Sequence, residues 1–112
     1  MSDWREPLLK RLSFPGYDRI GRNPTAWAGY EPRAAVRHAL GELGGHKFVA
    51  CVWDFDVYGG SLSEIDATTF VEAVDHAIRY REPLVSLVRS GGVRLQEGVA
   101  ALAGMVRIQL AL

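Results

Sequence analysis

The chain has 112 residues, with 13 Lys+Arg against 13 Asp+Glu, a formal net charge of +0 at pH 7, and 48% hydrophobic residues. That length fits one small domain, and the balanced charge excludes a protein that holds nucleic acid or an acidic membrane surface through net charge. No apolar run approaches the roughly 18 residues of a membrane span. The stretch Met1–Glu6 lacks the apolar core of a secretory signal, and the single cysteine, Cys51, forbids an intrachain disulfide, so a reducing, cytoplasmic setting is expected.

Residues 1–32 hold Pro7, Pro15, Pro24 and Pro32 together with Trp4 and Trp27. Prolines at that density permit helix only in short pieces, such as Pro7–Leu12. A segment of this kind drapes over a neighbouring surface, either of this domain or of another subunit. Residues 33–57 read as a β-hairpin, Ala34–Leu43 and His46–Phe55, with Gly44-Gly45 between two apolar runs as the turn signal. Cys51 lies inside Phe48-Val49-Ala50-Cys51-Val52-Trp53 and reads as a core residue rather than a nucleophile. His38, His46 and His76 have no metal-ligand spacing and read as surface or capping histidines.

Gly59-Gly60-Ser61 ends the second arm, and Ser63 with Asp66 forms a capping box for a helix running to about Tyr80. The spacing predicts that Phe70, Val74, Ala77 and Ile78 are its buried stripe, with Glu72, Asp75 and Arg79 in water. Pro83–Val88 is short and apolar enough for a buried strand. Beyond Gly91-Gly92, the residues Leu95, Val99, Leu102, Val106 and Leu110 recur at helical steps. A strand, a Gly-Gly turn and a helix start aim free backbone N–H groups into a cleft unobstructed by side chains. Such a place suits negative charge on oxygen, as a bound anion or a developing oxyanion. The competing reading is a plain tight turn.

The stretch Ser90-Gly91-Gly92-Val93-Arg94-Leu95-Gln96-Glu97-Gly98 resembles the SGGxRxQEG run of biotin-dependent carboxyltransferases, the β subunits of acetyl-CoA and propionyl-CoA carboxylases. Asp54-Phe55-Asp56-Val57-Tyr58-Gly59-Gly60-Ser61-Leu62-Ser63-Glu64 is similar to the family's DFxxxGGSxGE, and Phe14-Pro15-Gly16-Tyr17-Asp18-Arg19 is similar to its F-x-G-Y-x-D-R. The three matches stand in family order. The resemblance implies an α/β fold of crotonase-like (ClpP/crotonase) ββα units, present as an incomplete half-domain over residues 33–112 behind a Pro/Trp-rich extension over residues 1–32. It implies an acyl-CoA substrate, carboxybiotin on a carrier protein as the carboxyl donor, and a second carboxyltransferase-like chain as partner in a hetero-oligomer. By the same resemblance, Gly59-Gly60 and Gly91-Gly92 flank one oxyanion hole for the thioester oxygen; Arg89 and Arg94 are candidates to contact the phosphates of coenzyme A or to pair with Glu97, and Ser90 and Ser61 are further candidates for coenzyme A contact. Biotin takes the proton in the family, so no side-chain acid or base is nominated. Asp54, Asp56, Glu64 and Glu97 read as capping residues.

The chain also departs from that pattern. Its one cysteine cannot build the four-cysteine zinc ribbon that often opens bacterial β subunits, so no metal is expected. Ser63 stands where GGSxGE has glycine, and would distort the turn if the position needs a positive φ. Family β subunits are more than twice as long, and an apolar end such as Arg107–Leu112 leaves a core face in want of a partner. The chain then reads as a piece of a longer protein or as a small subunit completed by another. Val93 and Leu95 lean towards the malonate decarboxylase form of the motif, which needs the same oxyanion hole without biotin. A degenerate, non-catalytic scaffold subunit is the third reading.

Overall fold

The computed structural model describes residues 12–13, 19–25 and 28–112. The expected helix at Pro7–Leu12 lies outside these but for Leu12, and so do Trp4, Trp27 and all of Phe14–Arg19 except Arg19. Strands β1 (Leu12–Ser13), β2 (Val36–Leu43), β3 (His46–Trp53) and β4 (Leu84–Leu87) form one sheet in that order, with helices α1 (Glu64–Tyr80) and α2 (Val99–Ala111).

The hairpin forms as the sequence predicts. β2 and β3 pair antiparallel from Val36↔Trp53 to Leu43↔His46, closing on Gly44-Gly45. β3 carries six consecutive buried residues, Phe48–Trp53, as a strand covered on both faces must. One face packs Val49, Cys51 and Trp53 against Phe70, Val74 and Ala77 of α1 and Ile108 of α2. The other joins Phe48, Ala50 and Val52 to Leu87 and Ala39. Cys51 is wholly enclosed, and burial pushes its thiol up to about 12, which removes it as a nucleophile.

β3 runs into α1 and returns as β4, which pairs parallel to β3. Such a parallel pair requires a crossover, here the helix. α1 begins where the capping box predicts: the Ser63 hydroxyl accepts from the Asp66 amide, and the Asp66 carboxylate accepts from the Ser63 amide. Ser63 sits at φ −108, ψ −179, so this position is extended and places no demand for glycine. The expected distortion is absent. Ile78 corrects the predicted stripe. It is 67% exposed, and Ala67, Ala73 and Thr69 take the buried side with Phe70, Val74 and Ala77.

Residues 19–25 and 28–34 fold back on themselves and onto α1. Gly21 N donates to Pro32 O and Ala34 N to Arg19 O, both at 2.8 Å. Arg19 then reaches Thr69 at 3.0 Å and Glu72 at 2.7 Å, while Arg22 pairs with Glu64 at 3.0 Å. The described part of the proline-rich segment therefore rests on this chain's own sheet and helix.

α2 lies across α1 at a point of close approach, where a Cβ on Gly104 would come within 2.9 Å of the Ala67 methyl group. Its inward side is small, Ala101 and Gly104 with Ile108. The periodic stripe read from the sequence turns out to be the outward side. Leu95 (90% exposed) stands in the turn before the helix, and Val99 (79%), Leu102, Val106 and Leu110 (81%) continue the row.

Candidate active site

The two glycine loops meet at the ends of β3 and β4. After β3 the chain makes a 3-10 turn, Tyr58–Gly60, with Tyr58 at φ +48 and Gly60 at φ +67. A tyrosine in the left-handed region is strained backbone beside the candidate site. Gly60 must be glycine on two grounds, its φ and the Arg89 carbonyl oxygen, which would stand 2.0 Å from a Cβ. The loops are then joined directly. Gly91 N donates to Gly59 O at 2.9 Å, Leu62 N to Gly92 O at 2.7 Å and Arg94 N to Leu62 O at 2.8 Å, a short parallel bridge between Leu62 and Val93.

This geometry corrects part of the sequence reading. No helix starts at the glycines. A turn at Leu95–Glu97 intervenes, and α2 opens only at Val99. Nor do all four glycines offer free amides: Gly60 N–H donates to Val57 O at 2.9 Å, and Gly91 N–H to Gly59 O. Gly92 is different. Its amide donates to the exposed Ser90 hydroxyl at 3.0 Å, an acceptor that a ligand oxygen can replace, and open space lies where a Cβ would be.

Behind the loops lies a buried polar cluster centred on Arg94, whose side chain is 0% exposed. Its Nε donates to Ser61 Oγ at 3.1 Å. Nη2 donates to Ser61 O at 2.9 Å and to Asp66 Oδ2 at 3.2 Å, and Nη1 to Arg33 O at 2.7 Å and to the Tyr30 hydroxyl at 3.2 Å. The Tyr58 ring covers the guanidinium at 4.6 Å. Asp66 Oδ1 also accepts from Val36 N at 2.8 Å. Burial raises the Asp66 carboxyl above its ordinary value, against the pull of Ser63, the Val36 amide and Arg94. Tyr30 donates to Glu97 Oε2, while Glu97 Oε1 accepts from Glu64 N at 2.8 Å and so caps α1 from outside. Burial pushes the Tyr30 phenol up to about 12, so it remains a donor at neutral pH.

The candidates for coenzyme A contact therefore divide. Arg94 and Ser61 are corrected: both are buried and bonded to each other, and neither reaches an external phosphate. Arg89 and Ser90 are exposed at the mouth of the loops, with the Arg89 guanidinium 4.5 Å above the Phe55 ring. Glu97, read as a helix-start residue, does cap a helix, but α1 rather than its own. Sequence reasoning missed Tyr30 altogether. It lies 67 positions from Glu97, and no local pattern signals the pair. His46 is exposed, as read, but two histidines need correction: His38 is half-buried and stacks edge-on to His76 with centroids 5.6 Å apart, and His76 packs on Tyr80 at 4.6 Å. Among the described residues no group of His, Cys, Asp and Glu is arranged to hold a metal ion, and no helix is long and apolar enough to cross a membrane.

Comparison with known proteins gives concordant matches. The family model described as the carboxyl transferase domain matches residues 5–111. The chain is 35% identical over 108 residues to the acetyl-coenzyme A carboxylase carboxyl transferase subunit beta of Acinetobacter baumannii, covering 96% of this chain and 35% of that protein. It is 35% identical over 102 residues to the same subunit of Desulforudis audaxviator, 90% of this chain and 36% of the relative. Among solved structures, transcarboxylase 12S superposes with a TM-score of 0.76 at 30% identity, over 96% of this chain and 22% of that one. The malonate decarboxylase hetero-tetramer of Pseudomonas gives a TM-score of 0.67 at 30% identity, over 96% and 44%. This chain thus spans about a third of the length of the curated relatives it matches. With the paired glycine loops and their motifs in family order, and the family model matched over nearly the whole length, the chain belongs to the carboxyl transferase domain family.

Proposed function

We propose that the chain is the acyl-CoA-binding, enolate-stabilising portion of a biotin-dependent acyl-CoA carboxylase carboxyltransferase, acting in the cytoplasm on acetyl- or propionyl-CoA. The observation that carries this reading is the direct junction of the two glycine loops, Gly91 N to Gly59 O at 2.9 Å, beside a Gly92 amide whose partner is only a serine hydroxyl.

Carboxylation next to a thioester requires loss of a proton from the adjacent carbon, and charge collects on the thioester oxygen. Gly92 supplies one N–H to that oxygen in exchange for Ser90 Oγ, and Gly59 supplies the second. Gly60 and Gly91 hold the loops in shape. A fixed donor of this kind is worth about 2.7–4 kcal/mol of barrier where one has been removed from other enzymes. Glycine is needed for approach: open space surrounds a Cβ position on Gly92, and on Gly91 the one neighbour is Gly59 O at 3.5 Å, so a flat thioester can lie across both. Arg89, already extended over Phe55, is placed to meet the phosphates of coenzyme A, with Ser90 beside it. Carboxybiotin on a carrier protein, when bound, would supply the activated carboxyl group and accept the proton. The chain's own part is to hold and polarise the acyl-CoA, with a second carboxyltransferase-like chain bringing the donor to it.

Titration of the full chain with acetyl-CoA by calorimetry tests this. Binding is expected to weaken about tenfold in Gly92→Ala, the effect of about 1.4 kcal/mol, and the melting temperature to fall as well, because φ +111 at this position strains any residue with a Cβ. Equal affinity of Gly92→Ala and wild type for acetyl-CoA would overturn the assignment. A malonyl-thioester decarboxylase component is the second reading, favoured by the malonate decarboxylase neighbour and by Val93 and Leu95 in the motif. Release of carbon dioxide from a malonyl thioester without biotin, by the chain with its native partner, would decide for it.

A further inference from the structure

The glycine loops are held by something other than themselves. Each is short, each carries residues in the left-handed region, and they belong to separate strands. Two backbone bridges link them, at Gly91–Gly59 and Leu62–Val93. Immediately below, one side chain spans the junction. Arg94 begins two residues after Gly92 and ends on Ser61, the residue after Gly60, which it grips at both the hydroxyl and the carbonyl. Its other hydrogen bonds go to Asp66 at the start of α1 and to Tyr30 and the Arg33 carbonyl on the folded-back segment. A guanidinium presents its donors in one rigid plane, so these contacts fix the distance between the loops and not merely their charge balance.

We propose that Arg94, read from the sequence as a coenzyme A contact, is the positioning residue of the site. It sets the spacing of the Gly59-Gly60 and Gly91-Gly92 loops through Ser61, with Tyr30 and Asp66 orienting its guanidinium. The assignment of a positioning role rests on the reading of those loops as the thioester site. The hydrogen bonding itself does not.

The test uses the full chain with Ser61→Ala, Tyr30→Phe, Arg94→Lys and Arg94→Met, read by amide hydrogen exchange and by the nuclear magnetic resonance signals of the glycine amides. Ser61→Ala removes one acceptor and leaves the guanidinium and its other partners in place, so it keeps the test open if Arg94→Met does not fold. In Ser61→Ala and Tyr30→Phe, the Gly59, Gly60, Gly91 and Gly92 signals are expected to shift. Exchange at the Leu62 and Arg94 amides is expected to quicken about fivefold to tenfold, as loss of one ordinary hydrogen bond gives. The Gly44 and Gly45 amides and those of α1 beyond its first turn should not respond. Arg94→Lys keeps the charge beside Asp66 without the planar fork, and is expected to loosen the loops as Arg94→Met does rather than to rescue them. Acetyl-CoA affinity should fall in step with the loop response. Exchange that quickens uniformly over sheet and helices, or glycine signals unmoved in Ser61→Ala and Tyr30→Phe, would overturn the proposal, as would full rescue by lysine. A wild-type chain that binds no acetyl-CoA, yet shows the local loop response in its variants, supports the setting of the loop spacing by Arg94 and removes the thioester reading.

Discussion

His38 sits half-buried on β2, its Nε2 enclosed without a hydrogen-bond partner among the described residues, and its ring against that of His76. Burial lowers its pKa, His76 and Arg19 lower it further, and Glu72 alone pulls the other way. Folded His38 therefore binds its proton less readily than unfolded His38. Stability from this group is present above the unfolded value near 6.5 and is lost as pH falls below it. The expected outcome is a melting temperature that declines as pH is lowered from about 7.5 to 5.5, and a flatter profile in His38→Leu. An equally steep decline in that variant would contradict the account. At this scale the sequence was legible where chemistry is local and illegible where it is not. Cys51 showed as a core residue because its neighbours are apolar. Arg94 looked like a phosphate ligand because a motif displays a charge without displaying the partners, Tyr30 and Asp66, that bury it.

Among the elements, α1 was the most readable. Its cap, Ser63 with Asp66, and its end at Tyr80 stand where the sequence placed them. Because Ser63 is extended and its hydroxyl bonds the Asp66 amide, its departure from the family glycine is a cap and not a defect. Ser63→Ala is expected to cost about 1 kcal/mol and to lower the melting temperature by roughly 4–8 °C in a domain of this size, as calorimetry would show. An unchanged melting temperature would mean that the box contributes nothing. The elements misjudged were those where periodicity gives a face but not its direction. Ile78 and the Leu95–Leu110 row fall at correct helical steps and point outward, because alanine and glycine at Ala67, Ala101 and Gly104 let the two helices approach on the other side. Close packing of helices selects small residues at the crossing, and an apolarity count ranks these below leucine.

For the molecule as a whole, the outward row of α2 is its largest unresolved demand. A helix that keeps an exposed apolar row beside its buried one is a helix meant to be enclosed. The row Val99, Leu102, Val106 and Leu110 carries no charge, so what covers it must be apolar as well. The chain isolated gently from its own cells is expected to run as a complex larger than its 12.4 kDa, and Leu102→Glu with Val106→Glu to release it as a folded monomer, since exposed substitutions usually alter stability by only about 0.5 kcal/mol each. A native mass of one chain for the wild type would sink the split-subunit reading. Strands β2, β3 and β4 and both helices could be read from local pattern, whereas β1 and the union of the glycine loops could not, since the bonds that join the loops, Gly91 N to Gly59 O and Arg94 Nε to Ser61 Oγ among them, link residues distant in sequence.

That separation also orders events in time. Synthesis delivers the hairpin and α1 before residue 94 exists, and their contacts are near in sequence, so they can form first. Asp66 then waits without its cation. A carboxylate cannot enter the interior unpaired at tolerable cost, so the start of α1 stays wet until Arg94 arrives from 28 positions downstream and Tyr30 closes over it from 64 positions upstream. The paired loops thus cannot be complete until Arg94 is made, and a nascent chain halted before it lacks the side chain that spans them.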